Sequence, residues 1–114
     1  MGARECIFCK IAGGEIPARF VRRDDDVIAI ADVNPQAPQH LLVMPVQHFS
    51  DVAEFTASAP AELVAKLMRI AAELGGDRGR GFRAVINTGA EGGQTVDHLH
   101  VHVLAGRQMH WPPG

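Results

Sequence analysis

Polar and apolar residues alternate near the end of the chain, with His98, His100 and His102 interleaved with Leu99, Val101 and Val103. Successive side chains of a strand point to opposite faces. The pattern therefore predicts a strand over 98–104 with aliphatics buried on one face and imidazoles gathered on the other. Arg19-Phe20-Val21-Arg22 also alternates, and the acidic turn Asp24-Asp25-Asp26 separates it from Val27-Ile28-Ala29-Ile30-Ala31. These two runs predict an antiparallel hairpin. Leu41 to Pro45 predicts a buried third strand, and Phe82 to Ile86 a fourth. Between them the period changes. Leu63, Val64, Leu67, Ile70, Ala71 and Leu74 follow a 3.6-residue repeat, predicting one long helix over 58–74, opened by Ser58 with Pro60 and closed by Gly75-Gly76. Residues 5–12 predict a short helix stopped by Gly13-Gly14, and the prolines of Asn34-Pro35-Gln36-Ala37-Pro38 force a loop. The sum is an α+β fold: an antiparallel sheet of about five strands, one long helix and a short N-terminal helix, with the helices on one face.

At 114 residues, 46% of them hydrophobic and 21% charged, the chain suits a single soluble domain over 1–114. The formal charge of −2 supplies no basic field for a nucleic-acid polymer, so an anionic ligand would be small and locally gripped. No apolar run approaches the ~20 residues of a membrane span. Met1 to Glu5 shows no apolar signal core, which makes a cytoplasmic location the expectation. In that setting Cys6 and Cys9, the two cysteines, fit reduced thiols or half a metal site better than a disulfide.

Imidazoles on one strand face invite two chemistries. At ~3.3 Å rise per residue His98 and His102 lie ~13 Å apart, too far to share one metal, whereas adjacent members could. The other chemistry is nucleophilic. Histidine is largely neutral near pH 7, and its attack on phosphorus gives an imidazole adduct that water can cleave. A half-polar, merely solvated strand is the plain alternative. Upstream, Gly92-Gly93 permits main-chain N–H groups to curl around anionic oxygens, with Gln94, Thr95 and Asn87 as further donors. Histidine row and glycine loop together outline a phosphate pocket.

His98-Leu99-His100-Val101-His102-Val103-Leu104 resembles the signature of the histidine triad family, and the resemblance spans nearly the whole chain. It includes Phe8-Cys9-Lys10-Ile11, Glu15-Ile16-Pro17-Ala18, Asp32 to Pro38 and His40 to Pro45. The ending Gly106-Arg107-Gln108-Met109-His110-Trp111-Pro112-Pro113-Gly114 is similar to the Hint branch, the purine nucleoside phosphoramidases. The resemblance implies that His100 is the nucleophile, that His102 binds the phosphate, that His98 orients and that His40 holds the imidazole network from behind. It implies that Asp32 binds the ribose hydroxyls, that Val33 lies against the base, and that Asn87, Gly93, Gln94 and Thr95 ring the phosphate. Thr95 stands where the family often has serine, and its hydroxyl could serve the leaving amine. Catalysis would need no cofactor.

The same resemblance implies a homodimer with one extended sheet, and a tail over 105–114 that reaches the partner's site. Composition alone also allows a frayed end, although Met109, His110 and Trp111 suit an interface. Some bacterial-type members resembling this chain carry a zinc on two cysteines and two histidines. Cys6 and Cys9 with His48 and His98 would make such a structural site. Its alternative is a pair of buried, unligated thiols. For function, the expectation is hydrolysis of an adenosine or guanosine 5′-phosphoramidate to the nucleoside monophosphate, such as AMP, and an amine. Dinucleoside polyphosphate hydrolysis, nucleotidyl transfer and a nucleotide-binding module are the alternatives.

Overall fold

The computed structural model describes residues 5–114; residues 1–4, most of the stretch read for an export signal, lie outside the described residues. Five strands, β1 (Phe20–Arg23), β2 (Val27–Ala31), β3 (Gln39–Pro45), β4 (Arg83–Val85) and β5 (Val101–Ala105), form one antiparallel sheet. Their order is β1-β2-β3-β5-β4. Asp24 closes the first hairpin because its short carboxylate reaches the Asp26 and Val27 N–H groups, at 2.8 and 2.9 Å. Three helices accompany the sheet: α1 (Ile7–Ala12), α2 (Val52–Ser58) and α3 (Ala61–Gly75). No helix among the described residues is long and apolar enough to cross a membrane.

The helices do not share one face. Val27, Ala29, Leu41, Val43, Val101 and Val103 pack against Phe55 of α2 and Leu67, Ile70 and Ala71 of α3. Ile28, Ile30, Leu42 and Met44 point the other way, onto Cys6 and onto Phe8 and Ile11 of α1. The sequence carries the reason: β2 is apolar at all five positions and β3 at most of its own, so the middle of the sheet requires cover on both sides.

The expected helix over 58–74 is α3, which begins at Ala61, and a helix that the apolar period did not predict, α2, ends just before it. Pro60 occupies the N-cap position of α3, while Ser58 is the last residue of α2. Asp51 caps α2 by accepting from the Glu54 N–H at 2.9 Å, and Glu54 reaches back to the Ser50 N–H at 2.8 Å. This reciprocal arrangement resembles a capping box, and Asp51-x-x-Glu54 was its overlooked signal. Phe55 is 1% exposed and meets Phe49 edge-on, with ring centroids 5.0 Å apart. Phe55→Ala is expected to cost about 3–5 kcal/mol in urea unfolding, and a loss below about 1 kcal/mol would mean that the site collapses around the void.

The last strand is shorter at its start than the alternation predicted. Pairing with β3 ends at Val43↔Val101. Farther along β3 lies Pro45, which has no N–H to offer. The chain turns instead to other partners. The Leu99 N–H donates to the Phe49 carbonyl at 2.7 Å, and the His98 ring to the Pro45 carbonyl at 2.8 Å.

Candidate active site

His98, His100 and His102 lie on the α1 side of the sheet, as alternation requires. Phe8 meets the His98 and His100 rings edge-on at centroid distances of 5.9 and 5.0 Å, and the His100 and His102 rings are 5.1 Å apart. Backbone carbonyls and N–H groups then fix which nitrogen of each ring carries a proton. His100 Nδ1 is 2.7 Å from the His98 carbonyl, which can only accept. The proton is therefore on Nδ1, and Nε2 keeps its lone pair. The Gln36 N–H donates to His40 Nδ1 at 3.0 Å, placing the His40 proton on Nε2. That nitrogen is 2.9 Å from His102 Nδ1, which must accept. Neutral His102 thus presents Nε2–H. One ring offers a nucleophile, and its neighbour offers a donor.

Burial lowers the pKa of both rings from 6.5; for His100 the hydrogen bond to His98 and the Asp32 charge oppose the shift. For His102, repulsion from His100 and His40 adds to the effect of burial, against Asp32. Both rings are therefore neutral at pH 7, as a lone-pair nucleophile requires.

His100 and His102 line a cavity of about 560 Å³, a size that suits a small-molecule ligand. Asp32, Asn87 and Thr95 contribute further polar side chains, and Phe8, Ile11, Ile16, Ile30, Leu42 and Val96 much of its apolar wall. Asp32 also binds the Asn34 N–H at 2.8 Å and stands 3.4 Å from His40 Nε2. Val33 is fully exposed at the cavity edge. Arg19 lines the cavity too, a cation that motif reading passed over.

One expectation needs correction, that Gln94 donates to a phosphate. Gly93 lines the cavity, but its N–H goes to Ala90 and the Gln94 N–H to Gly89, both at 3.1 Å. The Gln94 side chain is also committed, donating to the Ser50 and Val96 carbonyls at 2.7 and 3.1 Å and accepting from Gly89 N–H at 3.1 Å. It pins the loop and does not line the cavity. Asn87 closes the same loop through the Gly92 carbonyl at 2.7 Å, keeping one amide hydrogen to spare. The His98 ring is wholly buried and outside the cavity, and it is the His98 main-chain carbonyl that holds His100 Nδ1.

A family model, the HIT domain, matches residues 13–109. The chain belongs to the HIT domain family. An uncharacterised HIT-like protein of Synechococcus elongatus is 48% identical, with 98% of this chain and 99% of that protein covered. A HIT family hydrolase of Legionella pneumophila has a similar structure, with TM-score 0.90 and 44% identity over 96% of this chain and 100% of its own. A hypothetical histidine triad nucleotide-binding protein of Sulfolobus tokodaii is 35% identical with TM-score 0.75, over 87% of this chain and 67% of its own. The chain thus shares its fold with a protein described as a HIT family hydrolase.

Behind the HIT cavity lies a second cluster. Cys6 and Cys9 are free thiols. Cys6 Sγ is 3.2 Å from His98 Nδ1, and Cys9 Sγ is 3.3 Å from His48 Nδ1 and 3.5 Å from His98 Nδ1. The four ligand atoms all fall within 4.8 Å of one another. His98 Nε2 donates to Pro45, so its Nδ1 lone pair faces the thiols. Burial pushes the Cys9 thiol up to about 11, aided by its hydrogen bond to and repulsion from Cys6. With Zn–S and Zn–N bonds of ~2.3 and ~2.0 Å, a tetrahedral site has S···N edges of roughly 3.5 Å. The donor set fits zinc in type, number and spacing.

Proposed function

We propose that this protein hydrolyses purine nucleoside 5′-phosphoramidates through a covalent nucleotidyl-His100. The observation that carries the proposal is the pair of fixed tautomers: a lone pair on His100 Nε2 beside a donor on His102 Nε2, both on the wall of the cavity. In the first step His100 Nε2 attacks phosphorus and the P–N bond breaks, with the amine leaving as it gains a proton. The Thr95 hydroxyl lines the same cavity and is the candidate to pass that proton. His102 Nε2–H and the spare Asn87 hydrogen bind the phosphoryl oxygens. In the second step water attacks phosphorus, the P–His100 bond breaks and the monophosphate leaves. Asp32 accepts from the ribose hydroxyls, and the apolar wall with Val33 holds the purine. Steady-state turnover of adenosine 5′-phosphoramidate against a dinucleoside polyphosphate tests the P–N assignment. Faster cleavage of the polyphosphate would shift it to the other family activity.

The loop gives a separate check. A Cβ at Gly92 would lie 2.1 Å from the Thr88 carbonyl oxygen, a backbone atom with little room to retreat. Overpacking costs about 1–3 kcal/mol of stability, so Gly92→Ala is expected to destabilise the fold by that much and to lower kcat/KM as Asn87 and Thr95 shift. Unchanged kinetics would detach the loop from the chemistry.

Cys6, Cys9, His48 and His98 would hold one structural zinc, tying α1 to the segments after β3 and before β5. All four positions are taken by protein, so the metal would fix shape and leave the reaction to the imidazoles. A second copy of the chain is the proposed partner. Trp111 is 84% exposed, and Arg83 of edge strand β4 donates to the His110 carbonyl at 2.7 Å, which lays the tail beside that edge. Sedimentation of the wild type at twice the chain mass is the expected result, and a monomer at micromolar concentration would end the dimer proposal.

A further inference from the structure

A second cleft lies apart from the triad. It has a volume of about 520 Å³ and is lined by Arg78, Arg80, Gly81, Gly106, Arg107 and Gln108, none of which lines the triad cavity. Three arginines thus line one recess in a chain whose formal charge is −2. Ion pairs among the described residues join Arg22 to Glu73, Lys66 to Asp24 and Asp26, and His40 to Asp32. The three arginines take part in none of them. Asp77, beside Arg78 on the short 3-10 turn Gly76–Arg78, pairs with none of the three either.

One of the guanidinium groups is held in place by backbone carbonyls, and a second lies against the main chain. Arg107 Nε donates to the Gln36 carbonyl at 2.8 Å and Nη1 to the Gln108 carbonyl at 3.1 Å. Its Nη2 hydrogens remain for a ligand. Arg78 lies against the main chain at Gly106, where φ is +99° and a Cβ would come 3.0 Å from Arg78 Nη1 and 2.9 Å from Pro38 Cβ. Glycine leaves the opening that the guanidinium fills. A cationic recess organised before a ligand arrives loses less side-chain entropy on binding than a set of freely moving surface arginines. Guanidinium groups that share a cleft also repel one another, and an anion between them removes that repulsion while accepting paired hydrogen bonds.

We propose that this cleft is a second anion site, distinct from the triad cavity, and that it takes a diphosphate group. One phosphoryl group carries a charge of about −1.5 to −2, short of three guanidinium charges, and two linked groups match them more closely. The diphosphate is either inorganic or the tail of a nucleotide. The test is an NMR titration of the full-length wild-type chain, reading the arginine Nε–H resonances with AMP present in saturating amount. Saturation of the triad cavity is checked independently at the His102 ring. Inorganic diphosphate should produce saturable shifts at Arg78, Arg80 and Arg107. The Arg78→Gln/Arg80→Gln double variant should lose them while keeping the turnover of the wild type.

Running the same titration with ADP separates the sources: tighter binding than inorganic diphosphate assigns a nucleotide tail, and equal or weaker binding assigns the free anion. Shifts that rise linearly without saturation overturn the site. So does saturable binding that AMP displaces, because the ligand is then in the triad cavity. If AMP itself leaves the His102 ring unmoved, the nucleotide assignment of the triad cavity fails, and the arginine resonances still report on the cleft.

Discussion

His100→Ala is expected to lower phosphoramidate turnover by at least about 10³-fold, with nucleotide affinity changed far less. A 10³-fold loss corresponds to roughly 4 kcal/mol of barrier, within the range that one covalent nucleophile supplies. The variant removes the cavity ring whose lone pair is directed by a main-chain carbonyl, through the His98–His100 contact of 2.7 Å. It leaves intact the His40–His102 pair and Asp32, which would still hold a phosphate and a ribose. The effect should therefore fall on kcat. Single-turnover kinetics with AMP binding measured alongside makes the distinction. Near-wild-type hydrolysis by His100→Ala would remove the covalent mechanism, whereas a loss confined to KM would reduce His100 to a binding group.

Loss of the proposed zinc site should lower stability without touching the reacting imidazoles. Purified protein is expected to contain about one zinc per chain, and Cys6→Ser to contain almost none. The tetrad joins positions 92 residues apart in the chain, and Cys6 is fully buried. Structural zinc contributes on the order of 10 kcal/mol in isolated finger peptides. In a chain that has its own core the dependence is smaller, and a loss of about 2–3 kcal/mol would lower Tm by roughly 10–20 °C. Calorimetry of the wild type before and after chelation, with Cys6→Ser beside it, tests this without reference to activity. Equal Tm values and no bound zinc would leave Cys6 and Cys9 as buried thiols packed under α1.

The sheet was largely legible from sequence because β2, β3 and β5 carry strong apolar patterns, and burial enforces those wherever they occur. What escaped was set by competition between local and distant partners. The extra helix α2 starts on a cap built from Asp51 and Glu54, a signal independent of the 3.6-residue period, and Pro60 separates it from α3. The start of β5 depended on Pro45, a residue remote in the chain that withdraws an N–H from the ladder.

The candidate site divides in the same way. Alternation placed three imidazoles on one face. It could not say that His98 turns inward to two thiols while His100 and His102 meet a cavity, since that division depends on where α1 docks. Gln94 shows the converse. Its position beside the glycines suggested a phosphate donor, but each polar atom of its side chain is engaged by main-chain groups, those of Gly89 and Val96 nearby and of Ser50, remote in the chain. Residue type and spacing indicate what a side chain can do, and the backbone groups around it decide what it does.

Intact-mass spectrometry after millisecond mixing with adenosine 5′-phosphoramidate tests the nucleophile most directly. One adenylyl group should attach transiently per site, map to His100 on digestion, and be absent from His100→Ala. Hydrolysis that runs to completion with no adduct on any residue, or with the adduct on His102, would contradict the assignment.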